Sequence, residues 1–308
     1  MDEIKINFCD FWNGFNKEEN LFINLLRQKY SVSISEKPDL IFYSVFSKNF
    51  YKYKCIRIFY TGENLRPNFN ECDFAISFDY INDKRHLRYP LYLLYGSPKS
   101  LIKQKDPDEI LKQKTKFCCF MVSNAKAKER IDFFHKLSEY KKVDSAGKYL
   151  NNIDYYLPFE NETKLKFIKD YKFVIAFENS SFPGYTTEKI YEPMLMSCLP
   201  IYWGNPLISK EFNSKSFINL MDFKNFDQAI EHIIKIDSDD SLYKEYLSEP
   251  YFCNNVMPEE LKEENLIKFL DSIIAEKEKI KPVAKNWQKA YYYSMQTRRK
   301  LGILKRKN

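Results

Sequence analysis

Glycine is scarce in this chain, and its scarcity excludes two large classes of nucleotide site. The seven glycines are Gly14, Gly62, Gly96, Gly147, Gly184, Gly204 and Gly302, and the closest pair lies 20 residues apart. A dinucleotide fingerprint needs three glycines within six residues, and a P-loop needs two. Any phosphate bound here must be held by side chains and helix ends. Histidine is scarcer still: His86, His135 and His232 are too far apart for a zincin helix, and none neighbours a cysteine pair, which argues against a zinc enzyme. The serine-hydrolase elbow GxSxG is absent. The seven cysteines are odd in number and irregularly spaced, and stretches such as Phe117-Cys-Cys-Phe120 surround them with apolar residues. Buried free thiols in a reducing cytosol are the expectation. No apolar run approaches the length that spans a bilayer, and the acidic, polar start Met1-Asp-Glu-Ile-Lys is unlike a signal peptide.

What is present suffices for a substantial core. Hydrophobic residues make up 44% of 308, with 26 Phe and 23 Tyr among them, so the length suggests two domains of ordinary size. The net charge of +7 is unevenly placed. Residues 275–308 hold 11 Lys/Arg against 2 Glu, a local +9 that leaves −2 for the remainder.

Short apolar runs alternate with helical patterns. Strands are expected at 4–8, 31–35, 40–45, 56–60 and 74–78, and a helix at 20–29 through Leu21, Phe22, Leu25 and Leu26. The polar stretch 97–114 reads as a linker. Strands follow at 116–122, 141–145, 173–177 and 199–203. Helices are expected at 128–140, with Ile131, Phe134, Leu137 and Tyr140 on one face, and at 187–198, 226–236 and 266–275, Pro193 shortening the second of these. The pattern predicts two α/β units in tandem, each with a mainly parallel sheet. Ligands are then expected at the carboxyl ends of the strands, in a cleft between the units.

The densest cluster of polar residues is Phe177-Glu-Asn-Ser180, Gly184-Tyr-Thr-Thr-Glu-Lys-Ile190 and Pro200-Ile-Tyr-Trp-Gly204. A strand ends in polar side chains, a glycine turn follows, and Thr186 or Thr187 caps a helix carrying Glu188 and Lys189 in its first turn. Free N–H groups, the positive end of the helix dipole and a mobile lysine suit a diphosphate. An ordinary capped helix with a solvated Glu-Lys pair is the alternative that spacing alone leaves open.

These segments, with Phe212-Asn-Ser-Lys-Ser-Phe-Ile218, resemble the signature of the α1,3/4-fucosyltransferases, glycosyltransferase family 10. Phe59-Tyr-Thr-Gly-Glu-Asn64 with Pro67-Asn-Phe69 resembles the family's N-domain motif, 73–78 the strand after it, and Phe120-Met-Val-Ser-Asn124 with Arg130 the entry to its C-domain. The resemblance covers roughly residues 4–225. It departs at Thr186, where the family often has Val or Ile, and at Ala146-Gly147, where it usually has paired glycines.

The resemblance implies an α/β fold of GT-B type: two Rossmann-like domains facing a cleft, followed by a basic helical tail. The expected bounds are 1–105 for an acceptor-side domain, 115–275 for a GDP-fucose-binding domain and 276–308 for the tail. It implies transfer of L-fucose from GDP-β-L-fucose, with inversion, to the 3-OH of GlcNAc in a lactosamine-type acceptor on lipopolysaccharide or another surface glycan. Glu63 resembles the general base, and Arg130 and Lys189 the diphosphate cations. Asn179 and Glu188 resemble donor contacts, Glu188 also facing positive charge developing on fucose. Tyr185 resembles a residue lining the nucleotide pocket, while Ser123 and Asn124 are expected to meet phosphate or ribose.

No metal or cofactor is expected to be required, although a divalent cation could stimulate turnover by aiding GDP release. The two DxD strings, Asp106-Pro-Asp108 and Asp237-Ser-Asp239, read as helix caps rather than metal ligands. In the tail, Val283, Trp287, Tyr291 and Met295 recur every four residues among the cations. That pattern suits a helix lying on an anionic membrane surface, or a stripe packing back on the body. The acidic balance of the body and the lack of a nucleic-acid fold signature argue against nucleic acid. A Lys-, Asn-, Ile- and Phe-rich composition points to an AT-rich bacterial genome, and the expected place is the cytoplasm, peripheral on the inner face of its membrane. Three rivals stand beside this reading: a GT-B transferase with another nucleotide-sugar donor, a glycan-binding module without turnover, and a basic-tail adaptor at membranes or RNA.

Overall fold

The computed structural model describes residues 3–122, 127–155, 157 and 161–300. They form two compact units, Met1–Tyr89 together with the chain from Glu260 onward, and Pro90–Glu259.

The first unit begins with β1 (Glu3–Cys9), α1 (Leu21–Arg27), β2 (Ser31–Ile34), β3 (Leu40–Tyr43), β4 (Ile56–Tyr60), β5 (Phe74–Ser77) and β6 (His86–Arg88). All pair in parallel, in the order β2-β1-β3-β4-β5-β6. Every residue of β3 and β4 is buried, because a parallel sheet is covered on both faces, and continuous apolar runs such as Leu40-Ile-Phe-Tyr43 satisfy that. Phe8 lies opposite Phe42 in the β1–β3 register, with ring centroids 5.1 Å apart. Asn20 caps α1 by accepting from the Ile23 N–H at 3.2 Å, which lets the helix bury Phe22, Ile23, Leu25 and Leu26.

The second unit contains α2 (Pro107–Gln113), β7 (Lys116–Phe120), α3 (Lys128–Tyr140), β8 (Val143–Ser145), α4 (Asn161–Ile168), β9 (Tyr171–Phe177), α5 (Glu188–Leu195), β10 (Leu199–Trp203), β11 (Ile218–Asn219), α6 (Phe226–Ser238) and α7 (Asp240–Ser248). Its five parallel strands run β11-β10-β9-β7-β8. Counted from the first strand of each sheet, the first unit follows the order 2-1-3-4-5-6 and the second 2-1-3-4-5. Each therefore has a topological switch point beside its first strand: between β1 and β3, and between β7 and β9.

Several expectations change. Residues 97–114 are no free linker. Lys103 donates to the carbonyl of Leu195 at 3.0 Å and Lys114 to that of Met196 at 2.8 Å, so lysines of the expected linker cap the carboxyl end of α5. The Tyr191 hydroxyl on α5 donates to the Ser97 carbonyl and meets the Ser100 hydroxyl. The buried face of α3 is Arg130, Phe133, Phe134 and Leu137, whereas Ile131 is partly exposed and Tyr140 exposed. All seven cysteines are free thiols: Cys72, Cys118, Cys119 and Cys198 are buried, Cys9 and Cys55 partly so, and Cys253 is exposed.

The chain then returns to the first unit through α8 (Glu263–Ala275) and α9 (Asn286–Lys300), so neither the expected boundary at 105 nor that at 275 coincides with the edge of a compact unit. Asp271 on α8 accepts from Lys29 and from the Tyr30 hydroxyl. On α9 the inward residue is Gln288, 1% exposed, which accepts from the buried Arg57 guanidinium at 2.8 Å. Trp287 and Tyr291 of the expected stripe edge onto Tyr51 yet stay 57% and 45% exposed. The described part of the tail is thus packed on the body, through Tyr292 against the core around Tyr43 and Phe50 and through a polar contact that periodicity did not mark. Among the described residues no helix is long and apolar enough to cross a membrane.

One carboxylate fastens this returning segment. Buried Asp73 accepts from the backbone N–H of Arg57 and of Val283, each at 2.8 Å. Asp73→Ala leaves both donors unsatisfied and is expected to lower unfolding stability by about 3 kcal/mol. Urea denaturation checks this: the midpoint should fall with little change in slope, and an unmoved midpoint would remove Asp73 as the fastening.

Candidate active site

The ends of β9 and β10 and the start of α5 assemble one polar centre in the second unit. The apolar strand β9 ends at Phe177, and the next residue, Glu178, is fully buried. Its Oε1 accepts from the Thr187 backbone N–H and its Oε2 from the Thr187 hydroxyl, each at 2.7 Å. Thr187 in turn caps α5, its hydroxyl facing the Lys189 N–H. The first-turn donors expected to await a ligand are therefore partly taken by the chain's own carboxylate.

Lys189 is pinned rather than mobile. Its Nζ stands 3.1 Å from the Thr187 hydroxyl, 3.3 Å from Glu188 Oε1 and 3.6 Å from Glu178 Oε2. Burial opposes the charge on Lys189, but Glu188 and Glu178 outweigh it and hold the ammonium above its ordinary range. Burial pushes Glu178 up to about 7, against the pull of Lys189. Burial also raises Glu188, yet the ammonium groups of Lys189 and Lys164 outweigh it and leave that carboxyl below the usual value.

Arg130, buried on α3, donates to Asn179 Oδ1 at 3.3 Å, and burial draws its guanidinium below its ordinary range. Arg130 and Lys189 line one small cavity with Lys164, Glu192, Cys119 and Phe177. Lys164 on α4 forms an ion pair with buried Glu192 on α5. A third cation thus stands at the same cavity. It and Glu178 escaped sequence reasoning, because a buried charge is legible only beside its distant partner; the one signal was an acid closing a continuous apolar strand.

The turn before α5 is held by a second buried knot. Gly184, at φ +82°, donates its N–H to Asn205 Oδ1 at 2.7 Å. The Asn205 amide donates to the Thr186 hydroxyl and to Glu211, and Thr186 donates to Glu211 at 2.8 Å. Threonine rather than Val or Ile at 186 is explained: an apolar side chain would drop a hydroxyl that these partners use. Tyr185 is held buried by the same turn. Gly204, at φ +154°, is where a Cβ would come 2.4 Å from Glu178 Cγ, so glycine makes room for the acid's stem. At Ala146-Gly147, only Gly147 is spatially obligatory, since a Cβ there would come 2.2 Å from the Val122 carbonyl oxygen.

Glu63 belongs to the first unit, in the bend after β4. Its N–H donates to the Thr61 hydroxyl at 3.0 Å, and that hydroxyl donates back to the Glu63 carbonyl, so the backbone is fixed while the side chain stays exposed. Beside it Arg66 pairs with buried Asp79 at 2.6 Å. Ser123 and Asn124 lie outside the described residues. Both DxD strings cap helices: Asp106 accepts from the N–H groups of Asp108 and Glu109, and Asp239 from those of Ser241 and Leu242. Among the described residues no group of three or more His, Cys, Asp or Glu is placed to hold a metal ion.

Comparison with known proteins places this geometry in a family. Residues 6–95 match the alpha-(1,3)-fucosyltransferase FucT N-terminal domain, and residues 111–287 the glycosyltransferase family 10 (fucosyltransferase) C-terminal domain. The chain is 33% identical over 289 residues to the alpha-(1,3)-fucosyltransferase FucT of Helicobacter pylori, an alignment spanning 80% of this chain and 60% of that one. It spans about half to three-fifths of the length of the first curated relatives it matches. A crystal structure of an alpha1,3-fucosyltransferase with GDP superposes with a TM-score of 0.72 at 30% identity, covering 89% of this chain and 91% of that one. One with GDP-fucose gives 0.71 at 28% identity, with the same coverage. Two parallel α/β units and these likenesses fix the fold as GT-B-like, and the chain belongs to glycosyltransferase family 10, the fucosyltransferases.

Proposed function

We propose that this protein transfers L-fucose from GDP-β-L-fucose to the 3-OH of GlcNAc in a lactosamine-type glycan, with inversion at the fucose carbon. The observation that carries the reading is the convergence of Arg130 and Lys189 on one cavity at the end of β9, in a chain of this family. Glu63 takes the acceptor hydroxyl proton as that oxygen attacks C1 of fucose. The bond from C1 to the diphosphate oxygen breaks, and its electron pair leaves with GDP. Arg130 and Lys189 meet the charge on the departing diphosphate. Asn179 holds the Arg130 fork, Glu188 faces the developing positive charge on fucose, and Tyr185 lines the nucleotide side. On this reading the chain's own cations, rather than a bound metal, neutralise the leaving group. The cations of 275–308 suit a peripheral place on an anionic membrane.

The test supplies GDP-fucose and a panel of other nucleotide sugars with N-acetyllactosamine, lacto-N-biose and lactose, and follows nucleotide release and product linkage. The expected result is GDP release from GDP-fucose alone, with an α1,3-linked product. Release only from another donor would replace the substrate. Acceptor binding without release from any donor would favour a glycan-binding module.

A further inference from the structure

The start of α5 already faces an anion that belongs to the chain. Glu178 offers both carboxylate oxygens to Thr187, and its Oε2 lies 3.6 Å from the Lys189 ammonium. Glu188 Oε1 lies 3.3 Å from the same ammonium. Lys189 therefore serves two carboxylates before any ligand arrives. A sugar-nucleotide diphosphate brings two more negative charges to this cation, in surroundings where like charges repel strongly.

Drawing Lys189 toward phosphate weakens the attraction that keeps Glu178 ionised. The other groups around Glu178 do not replace it. Glu188 on the same helix adds negative charge, Tyr202 on β10 stays a neutral phenol because burial pushes it up, and Arg130 on α3 faces the same ligand. Thr187 tolerates either form of the acid, since its hydroxyl can turn from donor to acceptor without moving a heavy atom.

We propose that Glu178 is a positioning residue for donor binding: its carboxylate holds the Lys189 ammonium in place, and takes up one proton from solvent when the diphosphate of GDP-fucose claims that ammonium. This rests on the donor site proposed above. Because burial already brings the Glu178 carboxyl up to about 7, the proton costs little near neutrality. The sign follows. Below that value the acid is already protonated and affinity is flat. Above it, affinity falls by up to about tenfold per pH unit, until the higher value reached in the complex is passed. The diphosphate of the intact sugar nucleotide keeps its charge throughout this range.

Calorimetric titration of GDP-fucose near pH 8, in HEPES and in Tris, reads the protons taken up on binding. The expected result is an uptake of about half to one proton by the unmodified protein and none by Glu178→Gln. The variant should bind with an affinity independent of pH from about 6.5 to about 8.5, equal to that of the unmodified protein at the lower end. Binding without uptake by the unmodified protein, or uptake that persists in Glu178→Gln, overturns the proposal. If the variant does not fold, the count on the unmodified protein decides. Lys189→Ala separates the two readings. Affinity unmoved by that change removes the diphosphate from this cavity, and both fall. Weakened affinity in Lys189→Ala with no proton uptake in the unmodified protein leaves the donor site standing and ends only the role of Glu178.

Discussion

Glu63→Gln is expected to lower turnover by roughly 10²–10⁴-fold while leaving the affinity for GDP-fucose unchanged, the range ordinary for loss of a general base. The asymmetry follows from placement. The Glu63 backbone is locked by Thr61 on both its N–H and its carbonyl, so glutamine should keep the bend and lose only the capacity to take a proton. The proposed donor cations sit on elements of the other unit, where Asn179 accepts from Arg130, and Glu178 and Glu188 flank Lys189. Steady-state GDP release with saturating acceptor measures the first half, and titration with GDP-fucose the second. Turnover within a few-fold of normal would take Glu63 out of the chemistry. Lost donor affinity would instead make it a donor contact.

The second large effect belongs to Lys189→Ala, which should weaken both GDP and GDP-fucose on the order of 10²-fold. At the proposed donor site, removing the ammonium deletes a charge-assisted contact to phosphate. It also leaves Glu178 and Glu188 facing the ligand without their shared cation, so the loss exceeds that of one hydrogen bond. Lys189→Arg keeps the charge but spreads it over a planar fork in place of the compact ammonium between two carboxylates, and should recover part of the affinity. Equilibrium titration of GDP, which needs no acceptor, reads both variants. An affinity equal to that of the unmodified protein would place the diphosphate elsewhere.

Much of the scaffold was legible because each signal was local. Ile56–Tyr60 and Leu199–Trp203 stand in the structure with the bounds their apolar runs suggested, since a strand covered on both faces needs only an unbroken run between polar ends. The α3 bounds at Lys128 and Tyr140 were equally readable, but its face was not. Arg130 turns inward because Asn179, 49 positions along the chain, receives it, and no periodicity of apolar residues counts an arginine. The elements missed include β6 and β11, strands of three and two residues too short to alternate, and the polar helix α4. The site divides the same way. Glu63 and Lys189 were singled out through the resemblance of their motifs. Glu178, Lys164 and the Thr186–Asn205–Glu211 knot owe their significance to partners brought near only by folding.

The first unit is closed by residues made after the whole of the second. Its sheet is complete by Arg88, but the side chain that accepts from Arg57 and the N–H that donates to Asp73 lie beyond position 280. Residues 90–259 form one uninterrupted stretch and can bury their core as soon as it leaves the ribosome. During synthesis a buried-to-be arginine and aspartate therefore wait, half assembled and wet, while the later half folds. Maturation of this protein is then expected to run backwards along the chain, with the second unit finished first and the first unit sealed last.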